Sequence, residues 1–564
     1  MRSSIHGRAG IVLAVIALSG GIVACGGDDE EGGAAGEQPA TKPGAPVAGK
    51  PGGKLTVLWT DDLTFSDPGQ SYYQMDFMVH YATQRPLYSY KPQNGTQMVP
   101  DLAESAPEVS ADGKTVTAKV RKGVKFSAPV NREVTSKDVK YAIERGFFNT
   151  VNNGYAGAYF GALEGAKVAA KPGTKIPGIE TPDDQTIVFK LSEPQGGVLA
   201  SGALGMTLTA PVAEEYAQKF DAKNPSSYGQ HQTATGPYMI EQDAKGNAVG
   251  YEAGKRLHLV RNPNWDKSTD FKPAYVDEMD MPQGNDDTSV ASRKILTGSH
   301  MISGDWSPPP AVLKEASTRR KSQLVLVPGV SWRMVSLNTT IKPFDDINVR
   351  KAVLAGFEEA GGIKGPGYDF MDATGKPNLD LAAEYFKKAG YASGRYEGKD
   401  ELLMVGTSEG VAQKAAEVAK ENFERLGFKI RMRLVTQDAM YNKYCSIPSA
   451  KVAICPNVSW GKDFADGQTI LDPTFNGENI IPQQNSNWPQ LDDKALNAEM
   501  NEAKQLSDPA ERATTWAAID KKLTAMAPSV LWIWDTTALI ASPDVNPVAS
   551  RQNSMWDLAW ISLK

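Results

Sequence analysis

LLMVGTSEGVAQKAAEVAKENFERLGFKIRMRL, residues 402–434, decides the class of fold. Leu402-Leu403-Met404-Val405 is an apolar run of strand length. After a Gly-rich turn, Val411, Ala415, Val418, Asn422 and Leu426 recur at helical spacing, and Gly427 stops the helix. Phe428-Lys429-Ile430-Arg431-Met432-Arg433-Leu434 then alternates with period two, as a strand with one wet face does. Strand, helix and strand in that order predict a parallel pair joined by a right-handed crossover. The class is α/β.

Working outward, the same grammar repeats. NLDLAAEYFKKAG predicts a helix over 378–390, capped by Asn378 and stopped by Gly390. TSKDVKYAIE, residues 135–144, sets Thr135 and Asp138 at capping-box spacing, with Val139, Ala142 and Ile143 on one face. Ser507-Asp508-Pro509 opens another helix, with Pro509 in its first turn and Trp516, Ile519 and Leu523 marking the buried face. There is no internal repeat.

The whole chain is several domains long at 564 residues, so more than one core is expected. Hydrophobic residues make up 41% and charged residues 22%, as in an ordinary globular protein. The net charge of -6 argues against a nucleic-acid partner. Three Cys exclude a four-Cys zinc site. His6, His80, His231, His258 and His300 are scattered, so neither a resident metal nor a cofactor is expected. No Walker A sequence is present, so any ATP is used by a partner.

The N-terminus reads as an export signal. Arg2 and Arg8 precede an apolar stretch, Ile11 to Leu18, too short to span a bilayer, which takes about 20 residues. Ile22-Val23-Ala24-Cys25-Gly26 resembles a bacterial lipobox, with 1–24 removed and Cys25 lipidated; a plain secretory signal is the alternative. Residues 25–53, rich in Gly and Pro, then form a tether. This places the protein at the outer face of the cytoplasmic membrane, in the cell envelope, held by lipid. In an exported chain Cys445 and Cys455, ten positions apart, are expected to form a disulfide rather than remain free thiols. Closing so short a loop contributes about 2–3 kcal/mol.

An ordered series of segments carries a family resemblance. It runs from Pro100-Asp101-Leu102-Ala103-Glu104-Ser105 through Asp112-Gly113-Lys114-Thr115-Val116 and Val120-Arg121-Lys122-Gly123-Val124-Lys125-Phe126. Next come Val134 to Val139, Thr235-Gly236-Pro237-Tyr238 and Leu259-Val260-Arg261-Asn262-Pro263-Asn264-Trp265. Leu337-Asn338, Pro343 to Ala352, Asp508 to Arg512 and Ala527-Pro528 complete it. Together they resemble the extracellular solute-binding proteins of family 5, the dipeptide- and oligopeptide-binding components of ABC importers. The resemblance implies a type II periplasmic-binding-protein-like fold: two lobes, a hinge and an inserted subdomain. The first lobe would comprise 54–89, 231–328 and 530–564, the inserted subdomain 90–230 and the second lobe 329–529. It also implies a monomer that closes on a peptide and delivers it to a membrane permease with its ATPase subunits. One departure stands out: after Phe357, Glu358-Glu359-Ala360-Gly361-Gly362 leads to Asn378 by a shorter connection than the family pattern has.

Trp460-Gly461-Lys462-Asp463 resembles the family's Trp-x-x-Asp loop, in which the Asp pairs with the ligand α-amino group. A carboxylate in a drying cleft makes a strong charge-assisted bond to an ammonium. Trp460 would be a flat apolar wall. The competing reading makes Asp463 a turn cap and Trp460 core, and Asp466 is a second candidate carboxylate. Trp332, after the hinge sequence Gly329-Val330-Ser331, and Tyr72, Tyr73 and Trp306 are further candidates for the cleft, against a core reading for each. Peptide main chain would be gripped by backbone groups, with loose, wet side-chain pockets.

Gly406-Thr407-Ser408-Glu409-Gly410 satisfies G-x-S-x-G between a strand and a helix. A hydrolase of that kind needs a His after its Ser, and the last His is His300. The segment therefore reads as a Gly-rich turn, and the protein as no enzyme. The rivals are the same scaffold holding a nickel chelate, sugar or opine, a structural lipoprotein, and last a secreted hydrolase.

Overall fold

The computed structural model describes residues 49–60, 63–357, 376–408 and 410–564. The signal, Cys25 and the connection at Glu358–Gly362 lie outside them.

Lys54–Leu58 anchors the first lobe. Leu55 and Val57 alternate inward, and the strand pairs in parallel with Glu278–Pro282 on one side and Met301–Ser303 on the other. Arg256–Arg261 and Tyr238–Ile240 extend the sheet antiparallel. Its core holds Leu257, Leu259, Met279, Ile302 and the C-terminal Trp556, Leu558 and Ile561. The ordered body starts ahead of Lys54: Lys50 bridges Leu563, and Gly52 N donates to Tyr275 O (2.8 Å). Residues 50–53, expected within the tether, thus pair with the first lobe instead.

A separate antiparallel sheet lies within the inserted stretch, in the order Glu108–Val109, Thr115–Lys119, Thr186–Lys190, Ile179–Asp183. The helix Ser136–Gly146 packs on it through Val139 and Ile143. Its start follows the capping-box spacing: Asp138 accepts from Thr135 N (2.8 Å). The helix also carries Arg145, buried, which donates to Asp67 at 2.7 Å through both terminal nitrogens and to Asp221. A second buried set joins Arg85 and Lys272 to Asp101 and Asp270. These networks tie the subdomain to the first lobe as one body.

The second sheet runs in the order Lys429–Val435, Glu401–Thr407, Ile454–Gly461, Leu324–Leu337, Ser529–Ile540. Its first two strands are parallel, Glu401 against Lys429 through Thr407 against Val435, with the helix Gly410–Arg425 between them in sequence. Gly427 has φ +101, and a Cβ there would lie 2.3 Å from Tyr396 O, so this stop admits only glycine. Asn378 caps Leu379–Lys388 by accepting from Leu381 N (3.0 Å), and Asp508 caps Pro509–Met526.

Leu324–Leu337 and Ser529–Ile540 are long because they serve both bodies. Val325, Val327 and Leu539 sit in the first-lobe core, whereas Val335, Leu337 and Val530 sit in the second. Their antiparallel register breaks between Pro328 and Trp332. There Gly329 lies against the partner strand, and an added Cβ would meet Asp535 O at 1.7 Å. This break is the geometry of a hinge. Cys445 and Cys455 form the disulfide, joining the Met440–Cys445 turn to the Ile454–Gly461 strand.

Candidate functional site

The loop after Ile454–Gly461 leaves the second lobe and docks on the other body. Lys462 Nζ donates to Gly95 O (3.0 Å), and Gln552 Nε2 donates to Asp463 O (2.8 Å). Phe464 is fully buried within the subdomain core, edge-on to Tyr159 with ring centroids 5.0 Å apart. Gly202 makes its socket, since a Cβ there would fall 2.0 Å from Phe464 Cγ. The Asp463 carboxylate thus stands where both lobes and the subdomain meet, accepting a hydrogen bond from Tyr159. Asp466 turns the opposite way and takes Arg512 through two bonds (2.7 and 3.0 Å), both side chains almost wholly buried. The second candidate carboxylate is therefore a loop anchor.

Around Asp463 stands a tyrosine wall. Tyr72 stacks on Tyr155 (5.1 Å), Tyr155 stacks on Tyr159 (6.0 Å), and Tyr73 meets Tyr72 edge-on (5.3 Å). Asp76 fixes the loop that carries Tyr72 and Tyr73 by accepting from their N–H groups (3.3 and 3.2 Å) and from Phe65 N (3.1 Å). Burial nevertheless pushes the Asp76 carboxyl up to about 6. Behind the loop, His80 binds Ser71 Oγ and Ser66 O; burial pulls it down to about 4, so it stays neutral.

Burial lifts the Asp463 carboxyl to about 7, against the opposing hydrogen bonds of Tyr159 and Tyr155. The Tyr72, Tyr155 and Tyr159 phenols are driven up by burial and then by the nearby Asp463 charge, so they stay neutral donors. The result is a carboxyl near its midpoint at neutral pH, in aromatic surroundings that would favour an incoming cation.

The structure brings together Asp463, Tyr72 and Tyr73 from the sequence candidates. Trp460 is half-buried, donating from Nε1 to Thr469 O (2.8 Å) and standing edge-on to Trp488. Trp332, 3% exposed, stacks on Phe475 in the second-lobe core. Trp306 packs with Leu58, Ile295 and Val312 and donates to Ser292 Oγ (3.1 Å). The latter two are core placements, each ring lying in a buried cluster on its own side of the hinge. Sequence reasoning missed Tyr155 and Tyr159. Tyr155 and Tyr159 show the i, i+4 spacing of one helix face, but nothing local aims them at position 463.

The Ser408 hydroxyl donates to Val435 O (3.1 Å), and His300 pairs with Asp544 (3.2 Å) in the first lobe. Among the described residues no group of three or more His, Cys, Asp or Glu could hold a metal ion. Among them also, no helix is long and apolar enough to cross a membrane.

Two bodies joined by crossing strands have the architecture of a clamp. The family described as bacterial extracellular solute-binding proteins, family 5 Middle, matches residues 97–481, and the chain belongs to it. The chain is 26% identical over 451 residues to Di/tripeptide-binding protein 3 of Pseudomonas aeruginosa, covering 75% of this chain and 78% of that one. Its fold is similar to the solved Clavulanic acid biosynthesis oligopeptide binding protein 2, with TM-score 0.78, 22% identity and coverage of 91% and 96%. It is also similar to the periplasmic binding protein DppA from Helicobacter pylori in complex with peptide STSA, with TM-score 0.66, 20% identity and coverage of 91% and 98%.

Proposed function

We propose that the chain is the peptide receptor of an ABC importer. It is held to the outer face of the membrane through lipidated Cys25, works as a monomer, and hands its ligand to a permease and its ATPase subunits. The observation that carries this reading is the Asp463 carboxyl, poised near neutrality among Tyr72, Tyr155 and Tyr159 at the junction of the lobes. A peptide ammonium entering there draws Asp463 to its ionised form and gains a charge-assisted bond in a dry site. The tyrosine faces supply apolar and cation–π contact without dictating sequence. The names of the similar proteins, Di/tripeptide-binding protein 3 among them, support a peptide as ligand. No covalent step is needed: the work is capture, closure and delivery.

The experiment compares free and N-acetylated short peptides by calorimetry. Acetylation removes the ammonium and is expected to weaken binding about 10–100-fold, the range of a lost charge-assisted bond. Asp463→Asn should weaken the free peptide and leave the acetylated one nearly unchanged. Equal binding of both peptides by the wild type, or a single non-peptide compound released from the purified protein, would overturn the assignment.

A further inference from the structure

Asp508-Pro509-Ala510-Glu511-Arg512 belongs to the ordered series that carries the family resemblance, yet capture of a peptide gives it no task. Asp508 caps the helix Pro509–Met526, and Arg512 follows one turn later with its side chain 1% exposed. Arg512 Nε and Nη2 donate to the Asp466 carboxylate (2.7 and 3.0 Å), and Nη2 donates also to Gln468 Oε1 (2.9 Å). Nη1 donates to Leu506 O (2.9 Å) and to Ala503 O and Lys504 O (3.2 Å each). One buried guanidinium thus pins two segments of the second lobe that are far apart in sequence.

Both pinned segments touch the subdomain. The first leads back from Asp466 to Phe464, seated against Gly202 in the subdomain core. The second is the turn at Leu506 and Ser507, which lies against Gly197. A Cβ on Gly197 would fall 2.5 Å from Leu506 O and 2.7 Å from Ser507 Cα, so backbone meets backbone here. Gly197 belongs to the short helix Gly196–Ser201, and its φ is not left-handed, so the contact rather than the local fold excludes a side chain. Val198 and Leu199 back this helix from the subdomain core. Beside it, a Cβ on Gly113 would meet Ser507 Oγ at 3.0 Å, and Gly113 O accepts from Gly196 N (2.8 Å).

The carbonyl that Gly197 meets is therefore one that Arg512 holds. A seam this close fits only if both second-lobe segments are held in register with each other. A lysine at 512 would keep a charge opposite Asp466, but one nitrogen cannot serve both segments. The seam at Gly197 includes none of Asp463, Tyr72, Tyr155 and Tyr159. It is made by the protein itself, and it joins bodies that part when the hinge opens.

We propose that Arg512 is the positioning residue of a two-point latch. It sets Phe464 and the Leu506–Ser507 turn in the register that fits Gly202 and Gly197, and the latch draws the second lobe onto the subdomain whichever ligand fills the cleft.

The test is made on the full protein, freed of small molecules by unfolding in urea, dialysis and refolding with its disulfide intact. No peptide is added, so a failure here leaves the peptide reading standing. Gly197→Ala adds the one atom that the seam has no room for, while favouring the helix itself. It should enlarge the radius of gyration in small-angle scattering and leave the melting temperature no lower. Amide exchange across 196–205 and 503–508 should quicken about tenfold. Arg512→Lys should open the molecule in the same way. The double variant should be no more open than either single one, because both substitutions break one contact. A merely structural Arg512 would instead lower the melting transition of the second lobe and leave the radius unchanged. That result, additive effects of the two substitutions, or a Gly197→Ala protein with the wild-type radius would each overturn the proposal.

Discussion

Asp463 makes a prediction about pH whose sign follows from linkage. In the empty site its carboxyl is raised to about 7 by burial, whereas a bound ammonium demands the ionised form. Binding therefore releases a proton below pH 7. Peptide affinity should fall as pH drops through 7, by at most about tenfold per unit, since one proton is released. It should also fall above about 8, where the peptide amine loses its own proton. Calorimetry in buffers of different ionisation heat checks both limbs, and Asp463→Asn should abolish the acid one. Tyr159 sharpens the prediction. Its hydrogen bond lowers the Asp463 carboxyl, so Tyr159→Phe should move the acid limb to higher pH. An unmoved limb would mean that another group governs it. The residue types themselves were readable in part. Asp463 stood out through its loop pattern, whereas nothing local marked Tyr155 and Tyr159 as its neighbours.

Among elements, the loop from Lys462 to Phe464 has the clearest mechanical role. Phe464 leaves its own lobe to fill a socket in the subdomain core, and Gly202 is the floor of that socket. Contact between separate bodies of this kind favours the closed arrangement over any open one. Gly202→Val would occupy the space of the ring. The variant should melt nearly as the wild type does, because the site lies at a junction rather than inside one sheet. It should nonetheless lose peptide affinity by at least tenfold and show a larger radius of gyration with peptide present. Small-angle scattering with and without peptide checks this; an unchanged radius and affinity would remove the socket from the closure. The elements themselves were legible where their causes are local. The Thr135–Asp138 box, the Asn378 and Asp508 caps and the Gly427 stop each act over three or four residues, and each falls where the spacing put it. The hinge was harder to read. Leu324–Leu337 is one strand of 14 residues, and only its broken register against Ser529–Ile540 shows that it serves two bodies.

At the scale of the whole molecule, buried ion networks decide which parts move together. Arg145 with Asp67 and Asp221 joins the subdomain helix to the first lobe, and all three side chains are at most 1% exposed. Replacing Asp67 by Ala strands part of a buried guanidinium and should cost about 3–5 kcal/mol. Urea unfolding should show the loss in the transition of the first lobe and subdomain, with the second-lobe sheet unaffected if it unfolds separately. A cost under about 1 kcal/mol would mean that water reaches the network. Three buried carboxyls, Asp76, Asp463 and Asp557, are raised to about 6, 7 and 7. The folded chain keeps protons there that the unfolded chain sheds near pH 4, so their contribution to stability falls as pH rises from 4 to 7. Order along the chain was enough for the α/β class and the family, because periodicity, caps and motif order are properties of neighbouring residues. The cluster around Asp463 was a different matter. It is assembled from positions 72, 73, 155, 159 and 463, on separate elements that meet only in the folded molecule. No local spacing encodes proximity across several hundred residues. Whether a Trp lines a cleft or fills a core depends on which sockets the folded sheets leave open, and for Trp306 and Trp332 the apolar sockets of the two cores took the rings.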